Sequence, residues 1–344
     1  MVTIKDVARV AGVSIATVSR VLNDNHKVGD ACRARVKKVI KELGYQPNAN
    51  AQALVSKTPS NIGVVTPKLS MTFFGTLAAG VEKTAREQHY KLLMANSLYE
   101  TESELAAIAS LRANNCHALI LHSEYSDEKT LQKLADEMPG LVVINRYVPA
   151  IAHRCVWLDN QRGAMDATRY LLQRGHQKFA VITSIYQNGD PQVRLAGTKA
   201  ALAEQGLQLQ GVEESTANIE GGIQATEALL ARGVPFSALL AYNDLMAVGA
   251  IHALFAAGLR VPEDVSVIGF DDLIVARACR PQLTTMHYPV EEMAAYAAQL
   301  AIEQSQPNAE MHAHRTHLFL PQLVERDSVA DAPATTQTDK EKRQ

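Results

Sequence analysis

The segment from Thr3 to Asn23, TIKDVARVAGVSIATVSRVLN, constrains the fold of this chain more than any other. Thr3 is a good helix N-cap, and Asp6, three residues later, can complete a capping box. Gly12 then interrupts the apolar helical pattern, where a helix end commonly needs a residue with positive φ. Ser14 can cap a second helix. The segment therefore predicts two short helices joined by a tight turn.

The second helix has an apolar side and a short, polar outward side. Val18 and Val21 recur at helical spacing and are expected to pack inward. Arginine can donate two parallel hydrogen bonds to guanine, and small hydroxyl side chains can reach phosphates. We therefore expect the outward side to lie in the major groove of DNA, although a helical hairpin without this function is the alternative. The candidate DNA contacts are Arg20, Ile15 and Ala16 for bases and Ser14, Thr17 and Ser19 for phosphates.

The charge of the chain is concentrated unevenly. Residues 1–58 contain ten Lys/Arg and four Asp/Glu, which makes +6, so the remainder of a chain with net charge -2 carries -8. A basic segment on an acidic body is typical of nucleic-acid contact confined to that segment. A third helix is predicted over residues 30–43, with Gly44 as its terminator. Residues 1–45 should therefore form a small basic three-helix domain.

The same residues resemble a known family. TIKDVARVAGVSIATVSRVLN is similar, nearly residue for residue, to the helix-turn-helix signature of the LacI/GalR family of repressors. YQPNANAQAL, at residues 45–54, resembles the hinge helix of that family, and Asn48 can cap this helix. The resemblance implies that one hinge helix from each subunit enters the minor groove, with Leu54 as an apolar wedge between base pairs. An ordinary interdomain linker is the alternative.

From Asn61 onward, apolar strand-like runs alternate with helical segments. This alternation predicts parallel sheets with helices on both faces, and the number of strands predicts two lobes. The resemblance extends to about residue 330 and implies a periplasmic-binding-protein-like core. The expected fold class is a small all-α helix-turn-helix head plus an α/β two-lobed core. The expected segments are a head over 1–45, a hinge helix and linker over 46–60, a core over 61–330 (N-lobe about 61–159 and 290–321, C-lobe about 160–288 and 322–330) and a disordered tail over 331–344.

Polar residues follow several of the predicted strands. Ligands of open α/β sheets bind at the carboxyl ends of the strands, so two facing lobes should form one cleft there. Arg, Asp and Asn can each hold two hydroxyls, and aromatic rings can cover the apolar face of a sugar. The structural alternatives are that the aspartates cap helices and that the phenylalanines belong to the core. The candidate effector contacts are Phe73, Phe74, Arg146, Asp159, Arg194, Asn243 and Asp271.

The resemblance also covers this cleft. NR at 145–146, R at 194, YND at 242–244 and GFDD at 269–272 are similar to the effector-site signatures of the family, which implies a small sugar effector. LVVINRYVP and HRCVWLDN resemble its galactose-responsive members, which implies galactose. Those members carry Asp-Pro where this chain has Met71 and Thr72, so one hydroxyl-binding carboxylate is absent here. The alternatives are that the protein responds to another sugar or to a nucleoside, that it uses its ligand as a corepressor, or that it is an activator.

Other features narrow the function class. No GxSxG elbow, phosphate-binding loop or metal-hydrolase motif occurs, so we expect neither an enzyme nor a cofactor. A transport-type sugar-binding protein would share the core, but the basic head argues against it. The histidines His312, His314 and His317 have no partner cluster, so no metal site is expected.

The remaining expectations concern compartment and assembly. No signal peptide is recognisable and no apolar run approaches 18 residues, so no membrane partner is expected. The tail lacks the leucine heptads of a tetramerising coiled coil, so we expect a homodimer. Its other partners would be double-stranded operator DNA and a small, galactose-like sugar. Four scattered cysteines are expected to be buried thiols of a cytoplasmic protein, and they are Cys32, Cys116, Cys155 and Cys279.

Overall fold

The structure of the protein is a computed structural model that describes residues 2–22, 27–45, 61–186, 189–306 and 317–333. The chain divides into two compact units, Met1–Ser60 and Asn61–Gln344. The predicted hinge helix with Asn48 and Leu54 lies outside the described residues, as does the tail from residue 334. Over the described ranges, no helix combines the length and apolarity needed to cross a membrane.

The first unit contains three helices, which are α1 (Ile4–Ala11), α2 (Ile15–Leu22) and α3 (Asp30–Leu43). The capping box predicted for α1 is confirmed, because the Thr3 amide donates to the Asp6 carboxylate at 3.0 Å and the Asp6 amide donates back to the Thr3 hydroxyl at 3.4 Å. Gly12 ends the helix at a φ of 64°. Side chains from all three helices form one small core that includes Val7, Val18 and Val36.

The second unit begins with a six-stranded sheet in the order β11-β5-β4-β3-β1-β2, in which every pairing is parallel. Together with the helices on its faces, this sheet forms the N-lobe. The strands are β1 (Asn61–Thr66), β2 (Lys91–Asn96), β3 (Cys116–Leu121), β4 (Gly140–Ile144), β5 (Cys155–Leu158) and β11 (His317–Phe319). The helices are α4 (Thr72–Glu87), α5 (Thr101–Ala113), α6 (Glu128–Glu137) and α12 (Val290–Gln304), with a 3-10 helix at Pro149–Arg154.

The second sheet, in the order β12-β10-β9-β8-β6-β7, is parallel except for the antiparallel pair β10 and β12. With its helices it forms the C-lobe. The strands are β6 (Phe179–Ser184), β7 (Leu209–Ser215), β8 (Ala238–Ala241), β9 (Ser266–Asp271), β10 (Thr284–His287) and β12 (Gln322–Val324). The helices are α7 (Asn160–Gln173), α8 (Asp190–Ala203), α9 (Ile219–Ala231), α10 (Asp244–Ala256) and α11 (Ile274–Ala278).

The chain crosses between the two sheets three times, after β5, after β10 and after β11. Helix α12 thereby returns to the N-lobe, where it packs against α4 and β4. The predicted fold class, an all-α head plus a two-lobed α/β core with mostly parallel sheets, is confirmed. Residues that follow strands of both sheets line common cavities, so the carboxyl ends of the two sheets face one another.

Two details differ from the sequence expectations. Strands β7, β10 and β12 are not among the apolar runs that predict strands, and β7 in particular is a polar edge strand whose residues are mostly half-buried or exposed. The cysteines are also not uniformly buried: Cys116 and Cys155 are, whereas Cys32 and Cys279 are half-buried. The position of a residue in the tertiary structure, rather than its type, decides how far it is buried. Residue types alone therefore predict neither a polar edge strand nor the partial exposure of Cys32 and Cys279.

Candidate DNA-binding face and effector cleft

Helix α2 presents its polar side to solvent. Ile15 is 44% exposed, and Ala16 and Arg20 are exposed as well, while Val18 on the opposite side is buried. The Ser14 hydroxyl accepts a hydrogen bond from the Thr17 amide at 3.1 Å and so caps the helix. The packed core of the three helices therefore supports the exposed side of α2, as is required of a helix that enters a groove of DNA.

Two adjoining cavities lie between the lobes. The outer chamber has a volume of about 410 Å³, and its walls include the loop 122–128 after β3. The inner chamber is smaller, about 60 Å³, and reaches the start of α4 and the end of β9. The residues that line both chambers are His122, Glu124, Asn145, Tyr186, Asp190 and Tyr242.

Arg194, on helix α8, is a buried cation that lies behind the C-lobe wall of the cleft. It is 7% exposed, and its guanidinium donates to the Asn160 side-chain oxygen at 2.8 Å and to the Tyr242 carbonyl at 2.6 Å. The same group lies 3.7 Å from a carboxylate oxygen of Asp190 and 3.7 Å from one of Asp271. It also stacks over the Phe270 ring at 3.5 Å. Arg194 thus holds two carboxylates at the cleft in fixed positions.

Asn145 connects the two lobes at the end of β4. Its side-chain amide donates to the Asp190 carboxylate at 2.9 Å, and its side-chain oxygen accepts from the Tyr288 hydroxyl. Asn145 and Asp271 both have positive φ, 64° and 108°, which non-glycine residues seldom adopt. Such conformations are held only where surrounding contacts determine them, and they cluster at functional sites.

The buried carboxylates of the cleft are poorly hydrated. Burial raises the pKa of Asp271 to about 7, with Arg194 lowering it and Asp190 raising it. Burial also raises the pKa of Asp190. In the N-lobe wall, burial raises the pKa of Glu124 to about 7, and the charges of Asp190 and Glu104 add to this effect. Burial therefore favours the neutral form of these three carboxyl groups, in which each can both donate and accept hydrogen bonds.

The loop that carries Glu124 is held by a buried carboxylate beneath it. Glu104, on α5, is 2% exposed and accepts hydrogen bonds from the Ser123 and Ser126 hydroxyls, at 2.9 Å and 2.5 Å. His122 at the start of the loop is buried, and burial lowers its pKa to about 4, so its ring is neutral. The loop between β3 and α6 is therefore a pre-organised wall.

The raised pKa of Glu124 predicts a pH-dependent stability difference. A carboxyl whose folded pKa is raised to about 7 contributes stability below its unfolded pKa and loses it as the pH rises through 7. Glu124→Gln should therefore match the wild type near pH 4.5 and exceed its free energy of unfolding at pH 8, by on the order of 3 kcal/mol. Urea unfolding followed through the single tryptophan, Trp157, measures this. Glu128→Gln, an exposed neighbour, is the matched control. A difference that does not vary with pH contradicts the assignment.

The predicted effector residues are distributed over the cleft unequally. Phe73, Phe74, Asn243 and Asp271 line the inner chamber, and Arg146 lines the outer chamber. Phe74 is also a core residue at 3% exposure, and Asn243 caps α10 by accepting from the Met246 amide at 2.9 Å.

Arg194 and Asp159 occupy other positions. Arg194 borders a small cavity of about 30 Å³ behind Tyr242 and reaches the cleft through Asp190 and Asp271. Asp159 caps α7 by accepting from the Arg162 amide at 2.9 Å, and it is not among the described residues that line either chamber. Its neighbour Asn160 joins the network instead, donating to Asp190 at 2.9 Å.

Sequence reasoning missed several members of the cleft. His122 and Glu124 follow β3, Asp190 begins α8, and Tyr288, which donates to Asn145 beside the chambers, follows β10. The signal that could have found them was the rule already applied to other strands, since each stands just after a strand or at the following helix. His317, considered for a metal site, contacts the Tyr296 hydroxyl at 2.6 Å, while His312 and His314 lie outside the described residues. In the parts of the chain that are described, no group of three or more His, Cys, Asp or Glu side chains is arranged to hold a metal ion.

Comparison with known proteins gives consistent matches along the chain. Residues 3–48 match the family described as bacterial regulatory proteins, lacI family, and residues 168–329 match the periplasmic binding protein-like domain. The HTH-type transcriptional regulator GalS of Salmonella typhimurium is 45% identical over 332 residues, which cover 96% of this chain and 97% of that protein. The regulator GalR of Escherichia coli K12 is 42% identical, with 96% of each chain covered.

A solved structure has the same architecture. The crystal structure described as the lac repressor dimer bound to operator and the anti-inducer ONPF aligns with a TM-score of 0.85 and 26% identity. The alignment covers 96% of this chain and 99% of that chain. The similarity therefore includes both the head and the two-lobed core.

Proposed function

Because the chain belongs to the lacI family of bacterial regulatory proteins, and is a DNA-binding transcriptional repressor rather than an enzyme, we propose that it controls a sugar-utilisation operon and is released from DNA by a galactose-like sugar. The observation that carries the sugar proposal is the cleft where Asn145, Asp190 and Asp271 converge from both lobes. Planar carboxylate and amide groups of this kind can each hold adjacent hydroxyls of a sugar ring.

The proposed DNA contacts are those of helix α2. Arg20 and the Ile15–Ala16 pair would read base edges in the major groove, and the hydroxyls of Ser14, Thr17 and Ser19 would contact phosphates. Two heads in a homodimer would bind the two half-sites of a near-palindromic operator. Hinge helices would insert Leu54 into the minor groove between them. We expect the protein in the cytoplasm, where its operator is.

The proposed mechanism is thermodynamic linkage between the cleft and the head. Sugar bound between the lobes would favour one relative arrangement of the N-lobes of the dimer, and operator DNA would favour another. The sugar can weaken DNA binding only by as much as it prefers its own arrangement. A coupling free energy of about 1–3 kcal/mol would change operator affinity about 5- to 150-fold.

Galactose is the effector that we propose, although Met71 stands at the inner chamber where galactose-responsive relatives carry a carboxylate. Met71 accepts a hydrogen bond at its sulfur from the Tyr99 hydroxyl, at 3.1 Å. Glu124 lines the same chamber and offers a carboxylate from the opposite loop. Another neutral sugar or a nucleoside, acting as inducer or corepressor, is the second candidate, favoured by the apolar Met71.

The test is release of the protein from DNA. The full-length protein is mixed with a fluorescently labelled, near-palindromic duplex that has a central C-G step. The fluorescence anisotropy is then followed at a fixed salt concentration while galactose, other sugars or nucleosides are added. We expect galactose to raise the apparent Kd 5-fold or more. If the protein binds the operator tightly and specifically but galactose does not change the Kd, the effector is another ligand. Equal binding to a random duplex would contradict the operator proposal.

A further inference from the structure

The outward side of helix α3 in the head is a second basic surface, distinct from the outward side of α2. Resting on the operator binding proposed for α2, we propose that this surface binds the phosphate backbone of a second DNA duplex, whatever its sequence, while α2 is bound to the operator. The surface, the α3 basic face, consists of five exposed residues, which are Ala31, Ala34, Arg35, Lys38 and Lys41.

Helical periodicity places these five residues on one side of α3. Positions 31, 34, 35, 38 and 41 are three or four residues apart or adjacent to such a position, so their side chains are neighbours on the helix surface. Val36 and Val39, on the opposite side, are buried in the core of the head. The two alanines have short side chains, so a phosphate backbone can approach the charged groups between them.

The charge pattern differs from that of an ordinary solvated helix. No acidic residue occurs between Asp30 and Glu42, although a solvated surface usually mixes both signs and neighbouring like charges destabilise a helix. Lys41 lies in the last turn, where the helix dipole favours a cation, but Arg35 and Lys38 lie in the middle of α3. Glu42 is 3.8 Å from Lys38, and this exposed pair is weak. A polyanion bound to the α3 basic face would relieve the repulsion.

The composition of the α3 basic face favours DNA over a protein partner. Protein interfaces are enriched in aromatic residues and depleted in lysine, whereas no exposed residue within residues 30–43 is a large apolar one. Interfaces with DNA are more polar and much more positively charged. With 14 residues, α3 is about 21 Å long. Duplex DNA of that length carries about twelve negative charges, so it can match every cation of the surface.

The packing of the head explains why the partner is a second duplex. Val7 of α1, Val18 of α2 and Val36 of α3 are fully buried in one shared core. Helices that surround a single core direct their outward sides in different directions. DNA is stiff, with a persistence length of about 50 nm, so the duplex that α2 contacts does not curve around a domain of this size. The α3 basic face therefore stays available when α2 lies in the groove.

The test is capture of a second duplex by operator-bound protein. Full-length protein is loaded onto beads that carry an excess of operator duplex, unbound protein is washed away, and a fluorescent duplex of random sequence is added. We expect the wild type to retain this duplex at about 50 mM salt, and its affinity to fall about 40-fold between about 50 and 200 mM salt, as three phosphate contacts predict.

The variant that tests the surface is Arg35→Gln/Lys38→Gln/Lys41→Gln. Glutamine has a helix propensity close to that of lysine and arginine, so α3 should fold normally. We expect the variant to retain the random duplex about tenfold less or weaker still, because its phosphate contacts are lost. Its Kd for the operator should stay within about twofold of the wild type.

A matched control removes three exposed cations from the second unit, in Lys129→Gln/Lys133→Gln/Lys178→Gln, and should capture the random duplex as the wild type does. If the wild type retains no random duplex, or if the α3 variant retains as much as the wild type, the second surface is refuted while operator binding stands. If the α3 variant instead loses operator affinity, the α3 basic face contacts the operator duplex itself and the proposal is wrong. Failure of the wild type to bind operator would contradict the function proposed for α2.

Discussion

Replacing Arg194 with alanine should raise the Kd for the sugar effector 100-fold or more and abolish its effect on DNA binding. The guanidinium is buried, makes two hydrogen bonds and lies beside two carboxylates at 3.7 Å. Without it, Asp190 and Asp271 would remain buried with no cation beside them, and breaking a buried pair in this way commonly costs about 3–5 kcal/mol. Their protonation or displacement would remove the acceptors that a sugar needs.

The measurement pairs calorimetry of sugar binding with operator anisotropy, and it includes variants that separate binding from folding. Arg194→Lys keeps the charge but cannot reach both Asn160 and the Tyr242 carbonyl with the same planar geometry, so an intermediate affinity is expected. Arg162→Ala removes an exposed arginine from the neighbouring helix α7 and should bind sugar normally. Operator affinity without sugar should stay within about twofold of the wild type in a folded Arg194 variant. A wild-type sugar Kd for Arg194→Ala would exclude this residue from the effector site.

Arg20→Ala should reduce operator affinity and relax base preference. Arg20 is exposed near the end of α2, where its guanidinium can form a bidentate contact with guanine. Such a contact discriminates by about 1–3 kcal/mol, hence by about 2–6 kcal/mol over the two half-sites of a dimer. Operator affinity should therefore fall about 30-fold or more. Affinity for random duplex should fall much less, because the variant loses one charge per head.

Selection of preferred duplexes from a random pool provides the readout for this prediction. The matched control is Arg9→Ala, since Arg9 is exposed on α1 and its charge is already paired with Asp6 at 2.6 Å. It should leave the preferred sequence unchanged and alter affinity only slightly. If the sequence selected by Arg20→Ala is that of the wild type, Arg20 does not read bases and the assignment of the recognition helix is wrong.

Local chemistry explains why the head could be derived from the sequence. The capping box of Thr3 and Asp6, the left-handed Gly12 and the apolar positions of α2 all act over three to five residues. Helix α3 begins and ends where its residues and Gly44 predict. The alternation of strands and helices likewise predicted the two-lobed core, because apolar strands that alternate with helices are buried in parallel sheets that the helices cover.

The cleft could be derived only in part. The rule that ligands bind at the carboxyl ends of parallel strands led to Asn243, Asp271 and Arg146, each of which lines a chamber. It did not distinguish Asp159, which caps a helix, from Asn160, which joins the network, although the two are adjacent. In a sequence both are polar residues after a strand, and only the direction of the side chain separates them.

The sequence by itself determined the secondary structure of the head, the fold class and the set of strand ends at which a ligand could bind. The tertiary structure decided which side chains meet there: Glu124 from one lobe with Asp190 from the other, and Arg194 between Asp190 and Asp271. The physical reason is the distance along the chain over which the two kinds of interaction act. Caps, turns and amphipathic periodicity depend on neighbours within one or two turns of chain, whereas burial, pKa and hydrogen bonding in the cleft depend on segments more than a hundred residues apart, such as Asn145 and Tyr288.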